Sequence, residues 1–380
     1  MIDEQLARSN QAQQPVALLF ATSGHSGVDR VVRNLVAEFA HLPLQFHLLS
    51  IRGHGPYLSD LPGNVRPVRL RAAHRNTVLP ALIAYLIRHR PRALFTASHR
   101  LNRAALLARA MAQRDMPVAI RMGMSLKGMF AEMRPRKARK LARSMRRWYP
   151  RADAVIAPST GVGEDLRELA GVSAERLHVI PNPIVSPALH AQALESLHDS
   201  WLRDGRTQEI PVVLAAGSLE PRKDFVTLIR AFGMLRAQRP ARLIILGEGR
   251  ERHALEGLIK ELGLEADVRM PGFQNNPYAW MSRANVFALT SRREGSGAVL
   301  AEALACGTPV ISTDCPTGPA EILGHGTYGA LVPVGDANAV SQALSQALSG
   351  APSPATLAAA AECFSTHSAA RAYLKALDLY

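Results

Sequence analysis

The stretch REGSGAVLAEALACGTPVIS, residues 293–312, lies between two short apolar runs and decides the fold class. NVFALT (285–290) leads into it with the length and composition of a buried strand, and TPVIST (308–313) overlaps its end as another. Between them GAVLAEALACG reads as a helix, opened by Gly295-Ser296-Gly297 and closed by Gly307 and Pro309. Strand, glycine turn, helix, strand is the unit of a parallel sheet covered on both faces. The turn also carries chemistry. The free N–H groups and positive end of a helix start hold phosphate, and glycine lets an anion approach the backbone. Glu294 stands in the loop, and Glu302 follows eight residues later on the first turns of the helix. A carboxylate accepts two hydroxyl hydrogen bonds, which suits the vicinal diol of a ribose. The pattern points to a nucleoside diphosphate with a polar group against Glu294.

The same alternation runs through most of the chain. Strand candidates fall at 16–21, 45–51, 93–98, 117–122 and 154–159, with helical patterns between them. A second series begins at PVVLAAGS (211–218) and continues through ARLIILGEG, NVFALT and TPVIST. VIPNPIVSPALH separates the two series. The expected architecture is α/β: two doubly wound domains, residues 1–185 and 186–365, facing a central cleft, with a closing helix over 366–380. Ligands of such sheets bind at the carboxyl ends of the strands.

Apolar residues make up 47% of the 380, as in a folded globular chain. The three cysteines have no metal-type spacing and suggest a reducing compartment. The polar start MIDEQLARSNQAQQP does not read as a signal peptide, and no apolar run reaches the length of a membrane span. The charge is one-sided. Residues 1–190 hold 28 basic and 12 acidic residues, and residues 191–380 hold 17 and 19. Such a field calls for an anionic partner. Its densest part is FAEMRPRKARKLARSMRRWYPR (130–151), with nine basic residues and one acid. Met133, Leu141, Met145 and Trp148 give it apolar positions at broadly helical spacing. A basic amphipathic helix of this kind lies on an anionic bilayer through Arg136, Lys137, Arg139, Lys140 and Arg143, or grips a phosphorylated acceptor; a solvated charged helix is the plain alternative. Nucleic acid is not expected, because no recognition motif or interleaved aromatic set accompanies the charge. There is no Asp-x-Asp, so no metal bridge to a diphosphate is expected and no cofactor is called for.

Residues 272–323 resemble the donor-site signature of the retaining glycosyltransferases of family 4, with their GT-B fold of two Rossmann-like domains. The E-x7-E pair and TDCPTGPAEIL carry the resemblance, which is strongest to the branch that builds bacterial lipopolysaccharide and capsule from UDP-sugars. AAGSLEPRKDFVTLIRAF (215–232) and ILGEGRERHALEGLIKELGL (245–264) are similar to further donor elements of that family. GHSGVDRVVRNLV (24–36) resembles its glycine loop and first helix. The resemblance implies that Glu302 binds the ribose and Glu294 the donor sugar near the reacting carbon. It implies that Gly295, Ser296, Gly297, Ala298 and Val299 hold the diphosphate, with Lys223, Arg222 and Gly217 beside it and Gly27 on the other side. It implies retention of configuration, the departing phosphate taking the acceptor's proton, and a last helix that crosses back to the first domain. Family members often have Gly-Arg where this chain has Gly217-Ser218, so Arg222 is the candidate replacement cation. His25 on the glycine loop and His99 after the strand ALFTAS are candidates for acceptor or sugar contact, His99 as a catalytic group. The expected protein is cytoplasmic, peripheral to the inner membrane, and transfers a sugar from a UDP-linked donor to a glycolipid or polysaccharide. The alternatives are a nucleotide-sugar-binding protein without transfer, and a dinucleotide-dependent oxidoreductase. The latter is suggested by Gly-Ser-Gly followed by Asp314, but Leu300 occupies its third glycine position.

Overall fold

Two all-parallel sheets organise the chain, each inside its own unit. The computed structural model describes residues 14–22, 27–58, 60–74, 76–203, 205–350 and 352–380. One unit runs up to Pro183 and includes Thr366–Tyr380; the other is Ile184–Ser365. The first sheet comprises β1 (Val16–Phe20), β2 (Phe46–Ser50), β3 (Val65–Arg69), β4 (Ala93–Ala97), β5 (Val118–Arg121), β6 (Ala154–Ala157) and β7 (Leu177–Val179). Its order is β3-β2-β1-β4-β5-β6-β7. The second comprises β8 (Val212–Ala216), β9 (Arg242–Leu246), β10 (Val268–Gly272), β11 (Val286–Leu289), β12 (Val310–Thr313) and β13 (Gly329–Val332). Its order is β10-β9-β8-β11-β12-β13. The order therefore reverses between β1 and β4, and again between β8 and β11. Both places are topological switch points, where the loops at the strand carboxyl ends part and leave room for a ligand.

Burial explains the strand sequences. Every residue of β1, β4, β11 and β12 is buried, as covering both faces with helices requires. The four outermost strands differ: β3, β7, β10 and β13 are partly exposed and carry Pro67, His178, Pro271 and Gly329. They lie outside the strand candidates legible in the sequence, because an edge strand buries less and needs no continuous apolar run. In the second unit, Phe225, Leu228, Phe232 and Leu235 of the helix Phe225–Gln238 pack with Val213, Ala215 and Ile245 of the sheet.

The helix Thr366–Lys375 belongs to the first unit. Its Tyr373 and Leu374 are buried with Val16, Leu18 and Phe95. Arg121, at the end of β5, donates from Nε to the Tyr373 hydroxyl at 2.9 Å and from Nη2 to Asn182 Oδ1 at 2.6 Å. One buried guanidinium thus ties both the last helix and the segment leaving β7 to the first sheet.

The basic segment forms the helix Pro135–Trp148. Its apolar positions serve the unit's own core: Met145 is fully buried, and Leu141 and Trp148 pack against the same cluster. Only the cationic face is left outward. Arg136, Lys137, Arg139, Lys140 and Arg143 are exposed. Arg146 is engaged with the carbonyls of Glu168 and Leu169. Among the described residues no helix is long and apolar enough to cross a membrane.

Candidate active site

The second sheet's switch point assembles the residues that the sequence singles out. β8 ends at Ala216 and β11 at Leu289, and the loops beyond them carry Lys223 and Glu294. Lys223 Nζ lies 2.5 Å from Glu294 Oε1, and both side chains are about 10% exposed. The lysine reaches it across Gly217, where a Cβ would sit 3.2 Å from Lys223 Cε. Ser291 Oγ donates to the same carboxylate oxygen at 2.7 Å, and Arg222 Nη1 stands 4.0 Å from Oε2. Burial alone would raise the Glu294 pKa. The Lys223 charge and hydrogen bond, the Ser291 hydroxyl and the Arg222 charge outweigh it and hold the carboxyl below its ordinary range. The resemblance assigns Lys223 to the diphosphate and Glu294 to the sugar; in the structure the two side chains pair with each other.

The two loops are stapled together by residues the sequence did not single out. Thr290 Oγ1 donates to the carbonyls of Lys223 and Asp224. Arg292 Nε stands 3.1 Å from Asp224 Oδ2, and its N–H bonds the Arg222 carbonyl at 2.8 Å. Asp224 is left-handed, φ 49°, and accepts from Thr227 Oγ1 at 2.9 Å. The available signal was an aspartate standing directly before an amphipathic helix, the place of a cap. The neighbouring β9 loop presses on this arrangement. A Cβ on Gly247, whose φ is 135°, would meet the Gly217 carbonyl oxygen at 1.9 Å, so only glycine allows that approach.

The glycine turn is held from below. Gly297 precedes the helix Ala298–Ala305 with φ 66°. A Cβ on Gly318 would sit 2.4 Å from the Ser296 carbonyl carbon, and Thr317 Oγ1 donates to the Glu294 carbonyl at 2.6 Å. Residues 317–319 of the TDCPTGPAEIL run thus buttress Glu294–Gly297. The amides of Ala298 and Val299 fall in the helix's first turn, where N–H groups have no intrahelical acceptor. Glu302 lies on the second turn and is 1% exposed. Arg222 Nη2 donates to Ser218 Oγ at 3.1 Å, so its guanidinium reaches the side chain that follows Gly217.

In the first unit, Gly27 opens the helix Gly27–Phe39 beyond β1, and His25 lies outside the described residues. His99 follows β4, beside that sheet's switch point, with Nδ1 3.3 Å from the Tyr149 hydroxyl. Burial, with the charges of Arg103 and Arg100, lowers its pKa to about 4. It is neutral near pH 7, able to share one N–H and one lone pair but not to act as a cationic acid. The cations at 136–143 lie on a different element. Among the described residues no cluster of three His, Cys, Asp or Glu side chains could hold a metal ion.

Comparison with known proteins matches the two units to two models. Residues 25–185 match Glycosyltransferase Family 4, and residues 203–363 match Glycosyl transferases group 1. A Campylobacter jejuni N-acetylgalactosamine-N,N'-diacetylbacillosaminyl-diphospho-undecaprenol 4-alpha-N-acetylgalactosaminyltransferase is 37% identical over 200 residues, 53% of this chain and 52% of that one. The lipopolysaccharide core biosynthesis glycosyltransferase LpsE of Rhizobium meliloti is 36% identical over 36% of this chain and 39% of its own. The matches therefore span about half, or less, of these relatives' lengths. Among solved structures, Anabaena Alr3699/HepE in complex with UDP superposes with a TM-score of 0.74 at 20% identity, covering 97% of this chain and all of that one. The lipopolysaccharide outer core galactosyltransferase WaaB gives 0.72 at 19% identity, covering 96% and 99%. At such identities the likeness is one of fold, and that fold is the GT-B arrangement of two Rossmann-like domains.

Proposed function

The chain belongs to the family 4 glycosyltransferases, and on that premise we propose that it transfers a sugar from a UDP-linked donor to a glycolipid or oligosaccharide during synthesis of a bacterial surface glycan, with retention of configuration. The observation that carries this reading is the buried Lys223–Glu294 pair at the β8/β11 switch point, beside the helix that opens at Ala298. An ammonium has three N–H donors, and Glu294 takes one. The others are open to a diphosphate, whose charge grows as the glycosidic bond breaks. Arg222 and the positive end of the helix add to that stabilisation. Glu294, fixed by Lys223 and Ser291, then offers a rigid acceptor to a sugar hydroxyl, and Glu302 receives the ribose. These cations do the electrostatic work of a divalent ion, so transfer is metal-independent in this proposal.

The first unit takes the acceptor, with neutral His99 as a hydrogen-bonding contact. The cationic face at 136–143 holds this unit against anionic lipid on the cytoplasmic side of the inner membrane. The relative acting on a diphospho-undecaprenol substrate and the LpsE relative support a lipid-linked acceptor. The HepE complex supports UDP. The test is to incubate the protein with UDP-glucose, UDP-galactose and their N-acetyl forms over membrane glycolipid, with and without EDTA. The proposal expects an α-linked product and release of UDP in both conditions. Absence of turnover with every donor, despite UDP binding, would favour a binding protein. Activity lost in EDTA and restored by manganese would overturn the metal-independent site.

A further inference from the structure

The first unit holds a cavity of about 560 Å³ that the donor chemistry leaves unused. Its volume falls within the ~300–1,000 Å³ of small-ligand sites. One wall is the outer edge of the first sheet. The pairing of Leu48 with Pro67 and Ser50 with Arg69 sets these four residues on one face. The other wall is the loop after β2. That loop is tied to the chain leaving β1 by two backbone bonds, Thr22 N–H to the Gly55 carbonyl at 3.0 Å and Gly55 N–H to the Thr22 carbonyl at 3.1 Å. The cavity thereby opens at the carboxyl ends of the parallel strands, where such sheets bind ligands. Its chemistry is mixed. Arg52 and Arg69 are exposed, and neither guanidinium has an ion-pair partner among the described residues. Tyr57 is 62% exposed beside them, over a floor that includes Leu48 and Leu61. A tyrosine face and an apolar floor suit the C–H face of a pyranose. Two arginines suit a carboxylate or a phosphate, each able to grip it with two parallel N–H bonds.

We infer that this cavity takes an acceptor sugar that bears an anionic group, an inference that rests on the chain acting as a glycosyltransferase. The test uses the full chain and protein-observed NMR titrations with glucuronate, glucose 6-phosphate, glucose and inorganic phosphate, beside calorimetry with UDP. At least one anionic sugar should bind about tenfold more tightly than glucose and than inorganic phosphate, the size of one charge-assisted contact. The tighter of the two identifies carboxylate or phosphate. Arg52→Gln with Arg69→Gln should abolish the preference over glucose, and Tyr57→Ala the preference over inorganic phosphate. UDP affinity should be unchanged in both variants, which also shows that they fold. Glucose binding as tightly as the anionic sugars, inorganic phosphate matching them, or the double variant retaining their affinity would each overturn the inference. Wild-type protein that binds the anionic sugar but not UDP would leave this site standing and defeat the donor reading. The reverse result would defeat the cavity alone.

Discussion

Lys223 Nζ and Glu294 Oε1 lie 2.5 Å apart, nearly buried, on loops that leave neighbouring strands of the second sheet. Taking away either partner strands the other's charge in a poorly hydrated place, Glu294 keeping only the more distant Arg222 beside it. Lys223→Ala or Glu294→Ala should each cost about 3–5 kcal/mol of stability at pH 7. The double variant should cost clearly less than the two losses together, since it strands no charge. Urea unfolding of the three variants measures this. Additive losses would show that the pair is not coupled.

His99 makes stability depend on pH in a predictable direction. Its ordinary pKa is 6.5, and burial with Arg103 and Arg100 nearby lowers it to about 4 in the folded chain. Between those values the unfolded chain takes up a proton that the folded chain refuses. The contribution is therefore fully present above pH 6.5 and is lost as pH falls toward 4. Melting temperatures from pH 7.5 to 5 should fall faster for the wild type than for His99→Gln. Glu294, whose carboxyl is held below its ordinary range, is the same in both proteins and so does not enter the comparison. Parallel curves would contradict the assignment. Between pH 6 and 8 transfer should show no inflection due to His99.

The structure refines how the basic helix would meet a membrane. Met145, Leu141 and Trp148 are used by the core, so the outward face offers charge and no apolar wedge. Binding should be wholly electrostatic, about 1 kcal/mol for each basic residue near an anionic surface. The wild type should sediment with anionic liposomes at low salt and be released by about 0.5 M salt, because screening shortens the reach of exposed charges. Replacing Arg136, Lys137, Arg139, Lys140 and Arg143 with Gln should abolish sedimentation. Salt-resistant binding, or binding equal in the variant, would contradict this picture.

What the sequence disclosed follows from burial. β1, β4, β11 and β12 are buried along their length, and their continuous apolar runs read directly as strands. VRPVR and LHV are the edge strands β3 and β7, half exposed and without such a run, so neither announces itself. The site divides in the same way. Gly297, Glu294 and Glu302 sit in one contiguous stretch whose spacing carries meaning. The Lys223–Glu294 contact joins residues 71 apart, and the staple of Thr290 and Arg292 to the Lys223–Asp224 turn depends on which strands adjoin. Adjacency of β8 and β11 is a property of sheet order, which periodicity does not encode. The basic helix shows the converse: its apolar spacing was legible, but which partner it buries against was not.

The most direct test of the account is calorimetric titration with UDP of the wild type, Glu302→Ala and Glu294→Ala. The wild type should bind UDP saturably. Glu302→Ala should lose about 1.5–3 kcal/mol of binding, the worth of a hydrogen bond to a charged group. Glu294→Ala should bind UDP no more weakly than the wild type, because Lys223 is released toward the diphosphate, while its turnover with the UDP-sugar collapses. A wild type that ignores UDP, or equal losses of UDP affinity in the two variants, would contradict the assignment of ribose to Glu302 and sugar to Glu294.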